Sequence, residues 1–452
     1  MFQVNLMYFL YSVNFDCQKK INTMIFTYYS YKGGVGRTMA LANVAALYYQ
    51  LGRNVLIVDW DLEAPGLERF FGYTAESLRS QPGLIDLYNA YLNHSCKLPD
   101  IEKYLIDIDE GFLIDEDVKE KFPNRKNNHL WLMHAGKRFG EDENKYILSV
   151  RKTDWKSPES ISFVDALKDQ MNKWADFVLI DSRTGYSDEG GICTYRMADV
   201  LVGLCSCTHQ SIEGLHKVLS DFKDEKMINY RQKEIPAIVI PSRFEPDVPK
   251  VKSFEDKLIK YFQAYYLHIN RKDKPLLWQI GIPYQKKFSF EEILIVKEGR
   301  TAENQLLYEA YTNIVQLMDK AFYHYDAFIF SDNRDSQSCQ ELIDQLRQKQ
   351  ISVSGLHFIQ HKGGITSEMI EQHLSISKYV IIVWSKNLFE KKSSGFDGFD
   401  QMIWEYVVHQ MAQNRMIVFS IDSCEIPDVL KADTIFDLST IHEFIRYMKG
   451  IY

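Results

Sequence analysis

Beginning at Met24, continuous apolar runs alternate with stretches of helical spacing. "MIFTYYS" (24–30) reads as a buried strand, and after a short loop "TMALANVAALYYQLG" places Met39, Ala42, Ala45 and Ala46 near helical spacing, with a stop at Gly52. "NVLIVDWD" (54–61) is an apolar strand that ends in acid, and "DFVLIDS" (176–182), "VLVGLCS" (200–206) and "AIVIPS" (237–242) repeat the form. Strands apolar at every position and separated by helices predict a parallel sheet covered on both faces. Residues 97–129 are charged and irregular and read as an insertion rather than as sheet. A long helical pattern from Glu303 to about Tyr323 closes this unit.

A second alternation starts at once. "AFIF", helix "CQELIDQLRQKQ", strand "ISVSGL", helix "TSEMIEQHLSIS", strand "YVIIVWS", helix "DQMIWEYVVHQMA" and strand "MIVFSI" follow one another as far as Ile421. The pattern predicts another doubly wound unit, with no Gly/Ser-rich tether before it, so a helix should couple the two. The expected division is an extension at 1–23, a first domain at 24–322 and a second at 323–452. The extension reads as disordered, with Met24 an alternative start.

Composition adds limits. A chain of 452 residues exceeds one ordinary core, which agrees with two domains. A formal net charge of −8 argues against a broad nucleic-acid surface. Residues 324–452 hold 12 Lys+Arg against 17 Asp+Glu, so neither unit is basic. The seven cysteines form no C-x-x-C pair, and Cys205 and Cys207 sit in an apolar run that suggests strand packing. An odd count of scattered thiols points to a reduced, cytoplasmic setting. No apolar run reaches the roughly 18 residues of a membrane span, and the first residues lack the basic start and small-residue cleavage site of a signal peptide.

The candidate chemistry concentrates in "KGGVGRT", Lys32 to Thr38, set between a strand and a helix. Glycines there let backbone N–H groups turn inward, the helix N-terminus adds positive potential, and Thr38 is placed to ligate Mg2+. The run resembles the phosphate loop of the MinD/ParA class of deviant-Walker ATPases, K-G-G-x-G-K-[ST]. That resemblance implies ATP and Mg2+ as cofactors, with Gly33, Gly34, Gly36, Arg37 and Thr38 around the phosphates. It also implies that Lys32 crosses an ATP-sandwich dimer to the partner's phosphates. "VLIVDWD" matches the family's D-x-D switch, making Asp61 the residue that orients attacking water and Asp59 a neighbour of the metal; "FVLIDSRTG" matches the strand ending in the Walker B acid, Asp181. Thr38, Asp59 and Asp181 form the expected Mg2+ set. The departure is Arg37, where the family has lysine. Arginine keeps the charge but is wider and planar, so nucleotide binding is expected and the rate of hydrolysis is left open. The chain fits a K-G-G-V-G-R subgroup that also carries "DSRTG" (181–185) and "PSR" (241–243). Arg183 and Arg243 are phosphate or base contacts in one reading and structural ion pairs in the other.

"YDAFIFSDNRD" (325–335) resembles the opening box of TIR domains, with Asp335 keeping the acid, and "LSISKYVIIVWSKNLFE" (374–390) resembles a later TIR strand, with Ser377, Ser385 and Asn387 in place. In TIR domains that cleave NAD+, a glutamate follows on the next helix in a W-x-x-x-E pattern. Here "FDQMIWEYVV" puts Gln401 at the tryptophan position and Glu405 at the glutamate position, with Trp404 beside it. Box two, usually Pro-Gly, reads Lys362-Gly363-Gly364. The fold class expected is therefore α/β: a P-loop NTPase parallel sheet with flanking helices plus a flavodoxin-like TIR domain. The functional expectation is an ATP switch controlling an NAD+-hydrolysing effector in bacterial antiphage defence, catalysed at Glu405. The alternatives are a non-enzymatic TIR adaptor and formation of a cyclic ADP-ribose-type signal. The expected partners are further copies of the chain, in a sandwich dimer or a TIR assembly, and an activating protein; DNA and membrane are not expected.

Overall fold

The computed structural model describes residues 23–114, 128–185, 191–221, 235–245, 251–262, 280–288, 292–322, 325–349, 351–355, 370, 373–374, 377–396, 398–410, 416–427, 430 and 434–448. Two sheets organise the chain. The first has eight strands in the order β3-β4-β2-β5-β1-β6-β7-β8. Its central members are β1 (Met24–Ser30), β2 (Val55–Asp59), β5 (Phe177–Asp181), β6 (Val200–Ser206) and β7 (Ala237–Phe244), all parallel. These runs are nearly continuous in apolar residues because both faces are covered. Phe26, Tyr28, Ile57 and Leu179 face one side, and Ile25, Leu56, Val58 and Ile180 face the other.

Helix α1 (Arg37–Gln50) follows β1 and is buried on nearly every side. Its small alanines let it lie close to the sheet, which a helix apolar all round requires. The opposite face is covered by α2 (Leu84–Asn93), α3 (Asp142–Lys152) and α4 (Pro158–Trp174), and further along by α5 (His209–Asp221) and α6 (Val251–Phe262). Helix α7 (Gln305–Phe322) returns to pack beside α1.

The segment read as an insertion contributes more than expected. Ile106–Asp107 forms the short strand β3, antiparallel to β4 (Leu130–Met133), and β4 pairs with β2. Reading 97–129 as wholly outside the sheet is corrected at those two residues. A two-residue strand has no period to detect, and the four residues of β4 are too few to stand out beside their charged surroundings.

The second sheet has the order β10-β9-β11-β12-β13 and is parallel throughout. Its strands are β9 (Tyr325–Phe330), β10 (Val353–Gly355), β11 (Ser377–Trp384), β12 (Met416–Ser420) and β13 (Thr434–Asp437). Counted within the unit this is the 2-1-3-4-5 order of flavodoxin-like folds, as expected. Ala327, Ile329, Ile381 and Val383 pack under α8 (Ser336–Gln348) and α11 (Ile441–Met448). On the other face Phe330, Ile382 and Trp384 pack against α9 (Lys386–Ser394) and α10 (Gly398–Gln410). The extension at 1–22 and the Lys362-Gly363-Gly364 loop lie outside the described residues.

Candidate functional site

The carboxyl end of β1 lies mid-sheet between β5 and β6, where successive connections diverge to either side. Ligands of open α/β sheets collect at such points. From β1 the chain turns through Gly33–Gly36 into α1, with φ of +71° at Gly34 and +81° at Gly36. Those left-handed conformations admit glycine without strain and turn the loop over the start of α1, whose leading N–H groups have no partner within the helix.

At the first turn of α1 the charges interlock. The Arg37 Nε donates to Asp181 Oδ1, and its Nη2 donates to Asp61 Oδ2 at 2.9 Å. Thr38 Oγ1 donates to the other Asp181 oxygen at 2.6 Å. Burial alone would lower the affinity of Arg37 for its proton, but Asp181 and Asp61 outweigh it and push the pKa up. For Asp181 the balance runs the other way: burial raises its pKa against the opposing pull of Arg37 and Thr38. Asp59 is fully buried, and its carboxylate accepts backbone N–H bonds from Asp61 (3.2 Å), Gly66 (3.0 Å) and Leu67 (3.1 Å). It therefore pins the loop that carries Asp61. Burial, Asp181 and Glu68 all raise its pKa.

The remaining sequence candidates are spread around this centre. Arg243, at the end of β7, holds a left-handed φ of +53°, donates from Nη1 to the Gly34 carbonyl at 2.6 Å and lies 5.0 Å from the Tyr284 ring centroid. A non-glycine residue in that conformation stores strain of order 1 kcal/mol or more, which the surrounding contacts must offset. Arg183 pairs with Glu63. Lys32 is half-buried, with Nζ 5.8 Å from the centroid of the Tyr31 ring.

A cleft of about 530 Å3 opens over the loop, lined by Gly33–Thr38, Asp61 and Arg243. Apolar and aromatic residues, Ile282, Pro283, Tyr284, Phe288, Leu307 and Tyr311, also line it. This apolar part was missed in the sequence, since β8 (Ile282–Pro283) is two residues long; the only local signal was the apolar pair inside "GIPYQ". Ser30 Oγ, Arg37 Nη1, Gln285 Oε1 and Tyr311 Oη are buried, without a hydrogen-bond partner, and all belong to residues lining the cleft. Among the described residues no group of three or more His, Cys, Asp or Glu is placed to hold a metal by itself.

The family model for the CobQ/CobB/MinD/ParA nucleotide binding domain matches residues 26–293, more than half of the chain. The chain belongs to that family. Solved structures resembling it include a plasmid partition protein of Borrelia burgdorferi B31 bound to AMPPNP, 16% identical, with a TM-score of 0.44 over 66% of this chain and 99% of that one. Another is the septum site-determining protein MinD of Pyrococcus horikoshii OT3 complexed with Mg-ADP, 16% identical, with a TM-score of 0.41 over 66% and 96%. A third is a Cyanothece McdA–ATP complex, 14% identical, with a TM-score of 0.41 over 66% and 96%. No curated protein matches the chain.

Beyond this CobQ/CobB/MinD/ParA domain, the second sheet brings together residues that are some fifty positions apart. Buried Asp335 accepts hydrogen bonds from Ser385 Oγ and, at 2.6 Å, from Asn387 Nδ2. Glu405 is exposed on α10, and its Oε1 accepts from Gln401 Nε2 at 2.5 Å. Trp404 turns away into packing, 5.2 Å from the Phe396 ring and 4.6 Å from Lys392 Nζ.

Proposed function

We propose that residues 24–322 form a Mg2+- and ATP-dependent switch. It would control residues 323–452, a TIR-type effector that hydrolyses NAD+ and releases nicotinamide. The observation that carries the nucleotide reading is the left-handed glycine loop that lines one cleft at the start of α1, with Arg37, Thr38 and Asp181 interlocked beside it. Such a loop and helix start offer backbone N–H groups to phosphate. A cleft of this size, lined by both cationic and aromatic side chains, suits a nucleotide.

In this reading the phosphates lie on Gly33, Gly34 and Gly36, with Arg37 and Arg243 as flanking cations. Thr38, Asp181 and Asp59 belong to the Mg2+ side. Mg2+ takes one or two carboxylates with phosphate oxygens and water, so a threonine hydroxyl beside one carboxylate suits it. When bound, the ion would neutralise charge on the phosphate oxygens. Arg37 is shared between its two acids and the nucleotide, which makes it the residue that sets turnover. Asp61 would orient attacking water, and Lys32, lying over Tyr31, is the side chain available to a facing copy. The assembled form would be an ATP-sandwich dimer or a larger TIR array, with an activating protein as a further partner and the cytoplasm as its setting. Neither sheet unit is basic, and among the described residues no helix is long and apolar enough to cross a membrane.

Support for the effector reading comes from the 2-1-3-4-5 sheet and from the meeting of Asp335, Ser385 and Asn387. Cleaving the nicotinamide–ribose bond builds oxocarbenium character, which the carboxylate of Glu405 is suited to stabilise. Depletion of NAD+ would then serve antiphage defence. The test is to incubate the full chain with NAD+, with and without Mg-ATP, and to follow nicotinamide; release that requires ATP is expected. No release in any nucleotide state would leave the second reading, a non-enzymatic adaptor. That reading is favoured by Gln401, whose amide occupies the Glu405 carboxylate.

A further inference from the structure

The nucleotide cleft and the second sheet are joined by a buried chain of polar contacts that no motif announces. It begins at α1, whose first turn carries Arg37 and Thr38. In the last turn of the same helix Tyr48 is buried, its ring stacked on Phe177 at 4.3 Å, and its hydroxyl donates to Asp319 Oδ1 at 3.2 Å. Asp319 stands in the last turn of α7 and is itself buried. Its other oxygen accepts from Nζ of Lys378, the second residue of β11.

Lys378 is buried as well. A second cation crosses beside it: Arg53, just after α1, has its Cζ 5.7 Å from the ring centroid of Tyr379. β11 is the middle strand of the second sheet, between β9 and β12. Its far end leads into Ser385 and Asn387, which hold Asp335.

A buried ion pair is poor glue, because taking both charges out of water cancels most of their attraction. What it does impose is register. Neither charge can leave its partner without a large penalty, so α7 and β11 must move together. Tyr48 ties the phosphate-loop helix to the same carboxylate.

We propose that the Tyr48–Asp319–Lys378 contact is the relay through which the nucleotide state of the cleft reaches the second sheet. This inference rests on the ATP-switch reading and names its route. A shift of α1 on nucleotide binding is passed by the Tyr48 hydroxyl to Asp319, and by the ion pair to the start of β11. The strand then carries it to the Asp335 cluster. Coupling of this kind is reciprocal and ordinarily changes an equilibrium by about 5–150-fold.

Two variants test it in the full chain. Tyr48→Phe keeps the ring stacked on Phe177 and deletes only the hydroxyl. The double variant Asp319→Asn/Lys378→Met removes both buried charges together, which avoids stranding one of them. Binding of Mg2+ with a non-hydrolysable ATP analogue is measured by calorimetry, and hydrogen exchange is followed at amides 24–30 and 377–384. In the wild type the analogue should alter exchange in both strands, with at least about a fivefold change in β11. In either variant affinity and the β1 response should persist while the β11 response is lost. An undiminished β11 response in variants that bind the analogue overturns the relay, as does a wild type that binds it without any response in β11. A wild type that binds no analogue overturns the switch reading itself, and the relay with it, so the two failures are told apart by calorimetry alone.

Discussion

Replacing Arg37 with alanine is the sharpest perturbation of the site. The side chains of Arg37 and Asp181 are 7% and 2% exposed, and that of Asp61 is 13% exposed, so the cluster is largely out of water. Arg37→Ala strands Asp181 in a buried position, and breaking a buried pair from one side costs about 3–5 kcal/mol. For a domain of this size that corresponds to a fall in melting temperature on the order of 10 °C. Arg37→Lys keeps one charge, but a single ammonium cannot present the fork that reaches both acids, so a smaller loss is expected. The double variant Arg37→Met/Asp181→Asn removes the buried pair as a whole and should recover most of the loss. Thermal unfolding followed by circular dichroism measures all three, and titration with Mg-ATP should show weaker binding for Arg37→Ala than for Arg37→Lys. An Arg37→Ala protein that melts with the wild type and binds ATP as tightly would refute the interlocked cluster. A double variant as unstable as the single one would show that packing, not charge, was lost.

Other perturbations address separate links. Lys32→Ala should leave nucleotide binding by one copy nearly unchanged and abolish ATP-dependent dimerisation in light scattering, because the residue sits over Tyr31 outside the acid cluster; a variant that still dimerises would remove the sandwich. Glu405→Gln should lower nicotinamide release by at least about a hundredfold, roughly 3 kcal/mol of transition-state stabilisation, without changing the circular dichroism spectrum; retained release would exclude Glu405 as the catalytic carboxylate. His134 is buried beside Arg138, and burial first, then that cation, lowers its pKa to about 4. Its unfolded value is near 6.5, so the unfolded chain binds the proton more tightly. The resulting stability is full above about pH 6.5 and is lost as pH falls toward 4, at most about 3 kcal/mol. His134→Gln should flatten the pH dependence of melting in that window, and an unchanged slope would mean that other groups carry it.

Local pattern made much of this molecule legible, and the limits of that legibility are physical. β1 and β6 stand at the residues the apolar runs marked, because strands buried on both faces need an unbroken apolar stretch. The long helix expected from Glu303 to Tyr323 is observed as Gln305–Phe322. β8 and β13 were not foreseen, being short edge strands stabilised by the neighbours they extend. The site divides in the same way. Glycines at 34 and 36 could be read in sequence because each satisfies a backbone demand of its own loop. The state of Arg37 could not. Its acids come from the end of β5 and the segment after β2, brought to α1 only by the register of three strands. The departure from lysine thus looked like a question about one phosphate contact, whereas the side chain is engaged with two carboxylates. The same reasoning applies to Lys378, an unremarkable lysine at the edge of an apolar run until α7 places Asp319 against it. Charge pairing across 59 positions leaves no mark on local composition, so the contacts that join the nucleotide cleft to the second sheet are those a sequence reading is least able to supply.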